Sequence, residues 1–216
     1  DEILDSGKIL LCNVSKGRIG EDNSEVFGVV IMAKLQLAAL KRARVKMSQR
    51  RDFYLYVDEF QNFATPTFAQ ILSEARKYRL NAILAHQTTS QIEDKSLVNV
   101  TLANTGTIIC FRTANPEDER LLLPQFRPYI EEGEIANLPS FNFYMKLGAL
   151  NPEEPFSGVT IPQKVDADPN KVKSVIYSSR KNYASKYKAP QQQVSLASGA
   201  EKKASKPSTN KSFVLP

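Results

Sequence analysis

The chain has 216 residues, of which 42% are hydrophobic and only two are cysteines, so it is long enough for one sizeable domain and is not a disulfide-rich scaffold. Its formal net charge is +6, but the charge is uneven. Residues 163–216 carry eleven Lys or Arg against three acids, a net +8, which leaves residues 1–162 at −2. The positive charge therefore belongs to the tail and does not identify the folded part as a nucleic-acid-binding domain.

The two cysteines predict buried thiols. Cys12 and Cys110 each lie within an apolar run, as expected of core residues in a reducing compartment. With one histidine in the chain, no spacing typical of a structural zinc site occurs. There is no signal peptide and no apolar run of membrane-spanning length. Because the chain begins at Asp1, it is expected to be a piece of a longer protein, with any membrane anchor outside it.

The amino-terminal region predicts a strand and a long helix. Lys8–Val14 is apolar enough for a first strand, and the glycine-containing loop Ser15–Gly20 follows it. Asp22 is expected to cap the helix by accepting a hydrogen bond from the amide of Glu25. The apolar residues of this helix continue to Leu40 and predict deep burial against a sheet.

A second apolar run, Phe53–Val57, ends in two adjacent carboxylates, Asp58 and Glu59. The run is typical of a strand covered on both faces in a parallel sheet. Open α/β sheets bind ligands at the carboxyl ends of such strands. In a nucleotide-hydrolysing site the first acid can support Mg²⁺ and the second can orient or deprotonate the attacking water. An acidic junction between strand and loop, without function, is the alternative.

Helices and strands continue to alternate up to residue 148. The predicted elements are a helix started by Thr65-Pro66, a strand at Asn81–Gln87, a helix around Lys95–Asn104, a strand at Thr107–Arg112, a helix opened by Pro116 and an edge strand at Phe141–Leu147. This order predicts an α/β fold with a mostly parallel sheet. Since parallel strands end at one rim, the polar residues after them are expected to converge: Ser15-Lys16, Asp58-Glu59, Gln87-Thr88 and Arg112-Thr113.

The tail, residues 163–216, predicts a basic low-complexity segment with room for one short helix at 168–187, and its last part, Gln191–Pro216, predicts disorder. Its cations could attract DNA or anionic lipid, although a solvated tail is the simpler interpretation.

Three segments, Phe53–Phe63, Ser73–Leu80 and Ile83–Gln91, together resemble the FtsK–HerA superfamily of P-loop ATPases. Within it, the sequence is most similar to the TraG/TraD-like coupling proteins of type IV secretion and conjugation, over roughly residues 3–162. The resemblance implies that residues 1–162 are the carboxyl-terminal part of a RecA-like, three-layer motor domain. Such domains form rings, usually hexamers, that hydrolyse ATP to move DNA.

The resemblance also implies roles for single residues. Asp58 matches the acid that supports Mg²⁺, and Glu59 matches the catalytic glutamate that acts on water. Gln87 matches a polar sensor of the γ-phosphate or of the attacking water. Arg76 matches an arginine that reaches the nucleotide of a neighbouring subunit.

Arg79 and Arg112 are weaker candidates for the same nucleotide-contacting role. Without the family pattern, Arg76 and Arg79 would be interpreted as a solvated helix face. Lys16 and Arg18 are candidate contacts to DNA phosphates in the ring channel, with an ordinary loop as the alternative.

One family motif is missing. No Gly-x-x-x-x-Gly-Lys-[Ser/Thr] sequence occurs, so the loop that grips ATP phosphates is expected upstream, and this segment alone should not hydrolyse ATP. The implied cofactors are ATP and Mg²⁺. The implied partners are DNA, further copies of the chain and secretion-channel or relaxosome proteins, at the cytoplasmic face of the bacterial inner membrane. A HerA-like translocase of repair or packaging and a non-catalytic docking module are the alternatives.

Overall fold

The computed structural model describes residues 1–92, 94–148 and 153–186. In chain order the elements are α1 Glu2–Ser6, α2 Lys16–Ile19, α3 Glu21–Lys41, β1 Phe53–Val57, α4 Pro66–Glu74, β2 Leu80–Leu84, α5 Lys95–Asn104, β3 Thr107–Phe111, α6 Pro116–Phe126, β4 Asn142–Leu147, β5 Phe156–Val159 and α7 Pro169–Tyr183. The chain divides into two units after Pro162, and α7 belongs to the second. Gln191–Pro216, where disorder is predicted, lies outside the described residues.

The strands form two sheets. β1 and β2 pair in parallel, whereas β3, β4 and β5 form an antiparallel sheet with β4 in the middle. The α/β class with parallel pairing is therefore confirmed, but the placement of Phe141–Leu147 at a sheet edge is wrong. β5 covers that edge, and Gly158 makes the pairing compatible with the Phe143 ring, because a Cβ at Gly158 would lie 2.4 Å from the ring atom Cζ. A four-residue strand containing glycine carries little sequence signal.

Strand β1 is covered on one face. Phe53, Leu55 and Val57 turn toward the core, while Tyr54 and Tyr56 are 58% and 73% exposed. Their partners across β2 lie on the same exposed face. The prediction that both faces of this strand are covered is wrong within the described residues. Alternation of burial along the strand explains the difference, because successive side chains point to opposite faces.

Helix α3 packs through a narrow stripe of residues: Ser24, Gly28, Met32, Leu35 and Ala39 are buried. Gly28 is required at its position, because a Cβ there would lie 2.1 Å from the Phe63 ring. The predicted deep burial holds only for this stripe, since Val26 and Phe27 are 64% and 58% exposed. Gly20, and not Asp22, is the residue that precedes the helix, and its first turn has no side-chain cap.

The predicted first strand is not formed. Residues 8–14 have no regular secondary structure, Ile9 is 88% exposed and Cys12 is exposed, so the prediction of a buried thiol is wrong for Cys12 and confirmed for Cys110. Apolar character alone favours a strand here, but a strand also needs a hydrogen-bonding neighbour. Two predicted helix starts are confirmed: the amide of Phe68 donates to Thr65 Oγ1, and Asp168 accepts from the amides of Asn170 and Lys171.

A buried guanidinium joins the end of α3 to two other segments. Arg42 is 2% exposed, and its Nη2 donates to the Leu4 carbonyl at 2.7 Å while its Nη1 donates to the Tyr78 carbonyl at 2.9 Å. Its Nε donates to Asp5 Oδ1 at 2.9 Å. Since each of these acceptors would otherwise need water or another donor, Arg42 fixes α1 and the turn before β2 against α3.

Replacing Arg42 by Ala should lower the free energy of unfolding of the chain by about 2–4 kcal/mol, because two carbonyls lose their donor in a closed site. Arg44→Ala, an exposed position in the same turn, is the control and should change it by less than about 0.5 kcal/mol. Urea unfolding followed by circular dichroism measures both. Equal effects of the two substitutions would contradict the role given to Arg42.

Candidate functional site

The carboxylate pair Asp58-Glu59 lies where β1 leaves the sheet. The ladder of β1 and β2 continues beyond the strands, because the amide of Ala85 donates to the Val57 carbonyl and the amide of Phe60 donates to the Ala85 carbonyl, both at 2.9 Å. Phe60 is 1% exposed and packs on Phe68 with ring centroids 4.8 Å apart. The chain is thus fixed on both sides of the two acids.

Glu59 has a left-handed backbone, with φ 51° and ψ 48°. This conformation costs a residue with a Cβ on the order of 1–2 kcal/mol. It allows the chain to turn sharply, so that Phe60 enters the core while the Glu59 carboxylate remains at the rim. The neighbouring Asp58 is exposed, and its Oδ1 accepts a hydrogen bond from the Glu59 amide at 3.0 Å.

Two amide side chains hold the Glu59 carboxylate. Gln87, three residues beyond β2, donates from Nε2 to Glu59 Oε1 at 2.7 Å, and Gln61 donates from Nε2 to Oε2. The predicted meeting of the strand ends of β1 and β2 is therefore observed as a direct contact. A carboxylate oriented by two neutral amides still has free lone pairs that can accept a proton from water.

Gln61 was not predicted as a site residue, and its Oε1 is buried without a partner among the described residues. Its position two residues after Glu59 is the one available signal. An oriented amide with an unused acceptor can receive a hydrogen bond from water or from a ligand hydroxyl.

A second network joins the loop after β2 to the end of β3. Asp118 of α6 is 2% exposed, and its Oδ1 accepts from the amide of Thr89 at 2.9 Å and from the Thr89 hydroxyl. Its Oδ2 accepts from the hydroxyl of Thr113, two residues after β3, at 3.4 Å. Asn115 adds a contact, donating from Nδ2 to Thr88 Oγ1 at 3.3 Å. Of the four predicted polar strand ends, the three after β1, β2 and β3 are thus linked: Glu59 contacts Gln87, and Asp118 and Asn115 join Thr88 and Thr89 to Thr113.

Asp118 is a functional neighbour that the sequence analysis missed, because an acid in the first turn of a helix is ordinarily explained by the helix dipole. Burial acts to raise the pKa of Asp118, but the hydrogen bonds from Thr89, Thr88 and Thr113 outweigh it and lower the pKa below its ordinary value. The carboxylate is therefore ionised and fixes the segment that follows Gln87.

Two of the predicted arginines, Arg76 and Arg79, lie away from this rim. Arg76 is exposed in the turn that precedes β2, at the amino ends of the strands. Arg79 lies at the same end: its carbonyl accepts from the Phe53 amide and its Nη1 pairs with Asp52 at 3.2 Å. A five-residue strand is about 16 Å long, so neither side chain is brought together with Glu59 of the same chain.

Arg112 is exposed at the carboxyl end of β3, next to Thr113, and is the one predicted arginine on the side of the Asp118 network. Lys16 lines a groove of about 1730 Å³ that also reaches Asp58, Glu59 and Gln61, and its Nζ pairs with Glu21 at 2.7 Å. Arg18 is exposed in α2 and does not line this groove. A DNA-contacting role for Lys16 and Arg18 stays a prediction.

Within the described part of the chain, no three His, Cys, Asp or Glu side chains are grouped as a metal site. Asp58 is an exposed carboxylate beside the groove, so a divalent cation could reach it. Magnesium commonly keeps several waters and takes one or two carboxylates together with substrate phosphates, so this ligand count suits a nucleotide-bound ion.

Residues 52–122, which contain β1, β2, β3 and both networks, match a family described as the TraM recognition site of TraD and TraG. This segment, about a third of the chain, is similar to TraD and TraG. The resemblance to coupling proteins expected from the motifs is confirmed. No curated protein matches the chain.

The fold is similar to that of the plasmid coupling protein TrwB in complex with ADP and Mg²⁺, with a TM-score of 0.52 and 21% identity over 69% of this chain. A bacterial conjugative coupling protein, TrwBΔN70 in an unbound form, gives a TM-score of 0.49 at 20% identity, over 63% of this chain and 38% of that one. The chain covers 40% of the ADP-bound TrwB chain. Among the described helices, none combines the length and the apolar character that a bilayer span requires.

Asp118→Asn should destabilise the chain by about 1–3 kcal/mol at neutral pH, because the network loses its charged acceptor. The folded-state pKa of Asp118 is lowered, so its contribution is present above the unfolded pKa and is lost as the pH falls through the folded value. The difference between the wild type and the variant should therefore shrink in acid.

Denaturant unfolding between neutral and acidic pH measures this difference. Glu117→Gln, an exposed position beside Asp118, is the matched control. A stability difference for Asp118→Asn that is constant across the whole range would contradict the assignment.

Proposed function

We propose that this chain is part of the motor of a conjugative coupling protein, in which a ring of subunits hydrolyses ATP to move DNA. The observation that carries the proposal is the contact between Glu59 and Gln87 at the carboxyl ends of two parallel strands. The buried Phe60 fixes the turn at Glu59, and Gln87 follows the next strand. Together the Glu59 carboxylate and the Gln87 amide form a site suited to act on a water molecule beside a phosphate.

In this proposal Glu59 is the catalytic base. Its carboxylate is held by Gln61 and Gln87 through one hydrogen bond to each oxygen, so each oxygen keeps a lone pair that can accept a proton from water. Gln87 can also contact the nucleotide, because its nitrogen can donate to the γ-phosphate and its oxygen can accept a hydrogen bond from the water. Movement of the Gln87 nitrogen from Glu59 to the γ-phosphate would couple nucleotide binding to the release of the Glu59 carboxylate.

Asp58 is proposed to support Mg²⁺, which would neutralise charge on the ATP phosphates. The phosphate-binding loop is proposed to come from a further part of the domain, in agreement with the partial coverage of TrwB by this chain. Arg76 is proposed to act on the nucleotide of a neighbouring subunit, with Arg79 and Arg112 as the weaker candidates. In a closed ring, each nucleotide site would then receive an arginine from the neighbouring subunit.

The proposed partners are DNA in the ring channel, contacted non-specifically with help from Lys16 and Arg18, and a relaxosome protein of the TraM kind. The relaxosome partner is supported by the description of the family that matches residues 52–122. The same description favours a second candidate function, a docking module without catalysis. Location at the cytoplasmic face of the inner membrane goes with either function.

Glu59→Gln should lower kcat of DNA-stimulated ATP hydrolysis in the intact protein by about 10²–10⁴-fold, since an amide cannot accept the proton. The affinity for ATP, measured with a fluorescent analogue, should stay within about twofold. Glu74→Gln, a glutamate at the end of α4, is the control and should leave kcat unchanged.

Equal kcat for the Glu59→Gln variant and the wild type would remove Glu59 from the mechanism. No nucleotide hydrolysis by the intact wild-type protein, with binding to a TraM-type protein retained, would favour the docking module over the motor.

Arg76→Ala subunits should inhibit rings of wild-type subunits more strongly than their fraction predicts, because each removes an arginine from a neighbour's site. The control is Lys77→Ala, an exposed cation in the same turn that pairs with Glu74. Titrating variant into wild-type protein and measuring ATP hydrolysis tests this. A loss of activity strictly proportional to the Arg76→Ala fraction would argue against action between subunits.

A further inference from the structure

Helix α7, in the second unit of the chain, has a pattern that the motor does not explain. Its apolar residues recur at helical spacing and remain exposed: Val172 is 57%, Val175 52% and Ile176 45% exposed. With 100° between successive residues, these three lie within one arc of the helix, together with Tyr183. An arc of this kind on a water-exposed helix indicates a surface that is covered by something else.

The charges of α7 limit which kind of molecule can cover its apolar arc. Residues 169–183 contain four cations, Lys171, Lys173, Arg180 and Lys181, and no acid. Lys171 lies just beyond one border of the apolar arc, and Lys173 and Arg180 lie just beyond the other. Flanking cations with long aliphatic stems can place their charges in headgroups while their stems extend the apolar surface.

Three other molecules that could cover α7 can be compared with its apolar arc and its flanking cations. A second copy of α7 packed on the apolar arc would bring the flanking cations of both copies together, which is destabilising. DNA would attract the cations but leave the apolar arc in water. An acidic protein groove could satisfy both, but the chain offers no feature that selects it. An anionic bilayer surface satisfies the apolar arc and the cations at once.

We propose that α7 is an amphipathic helix that lies on an anionic lipid bilayer, with Val172, Val175 and Ile176 inserted between lipids and Lys171, Lys173 and Arg180 at the headgroups. Five further lysines are distributed over residues 187–216 of the sequence, and they increase the attraction to anionic lipid. This contact would hold the carboxyl-terminal side of the chain at a membrane surface without spanning it, independently of any ATPase activity.

The test is co-sedimentation of the 216-residue chain with vesicles of phosphatidylglycerol and phosphatidylcholine, compared with vesicles of phosphatidylcholine alone. We expect binding to the anionic vesicles that is at least about tenfold tighter, since each cation near the surface strengthens it severalfold. Lys173→Gln with Arg180→Gln should weaken binding to the anionic vesicles and should not affect binding to the neutral ones.

A matched pair of substitutions separates insertion from charge. Val175→Asp and Ser174→Asp add the same charge at neighbouring exposed positions, but only Val175 lies on the apolar arc. Val175→Asp should reduce the affinity for anionic vesicles by about tenfold or more relative to Ser174→Asp, because it removes a valine that would insert between lipids as well as adding an acid.

Equal binding by the Val175→Asp and Ser174→Asp variants, or no binding of the wild type to anionic vesicles, would overturn the proposal. Binding to duplex DNA that persists in Val175→Asp, in the absence of vesicle binding, would assign the cations to DNA. Dimerisation in vesicle-free buffer that Val175→Asp abolishes would assign the arc to a second copy.

Discussion

The position of Glu59 and Gln87 depends on backbone hydrogen bonds that continue the parallel pairing of β1 and β2 beyond the ends of the strands. Two hydrogen bonds beyond the strands, from Ala85 to Val57 and from Phe60 to Ala85, extend the pairing into the loops that carry the polar residues. The Phe60 side chain fills the core, so the backbone must reverse at Glu59, and the left-handed conformation there follows from these constraints. The position of the carboxylate is thus a consequence of packing, and Gln87 reaches it because the register of β1 and β2 fixes both ends.

The same pairing leaves the opposite face of the strands uncovered. Tyr54 and Tyr56 are exposed on β1, and Ile83 is exposed beside Tyr56 on β2. Parallel sheets in α/β proteins are covered on both faces, and a two-stranded sheet has little stability by itself. In the proposed motor, this face and the groove beside it would be available to pack against further protein.

Local signals predicted two helix starts. Thr65-Pro66 and Asp168 start helices as expected, because a cap and a proline act within one turn. The predictions that failed concern features that depend on partners distant in sequence. Residues 8–14 are mostly apolar but have no neighbouring strand in the part of the chain that the structure describes. β4 is central because of the weak strand β5, and Asp118 is significant only because Thr89 and Thr113 donate hydrogen bonds to it.

The separation of the arginines from the carboxylates has a consequence for assembly. Arg76 precedes β2 and Glu59 follows β1, so the length of the parallel strands lies between them in one chain. No side chain spans that distance. If Arg76 acts on a phosphate near Glu59, the two must come from different chains, with one edge of a subunit facing the opposite edge of the next. Such a head-to-tail contact is heterologous and closes into a ring when its rotation is suitable. A catalytic role of Arg76 on a phosphate beside Glu59 would therefore need a second chain.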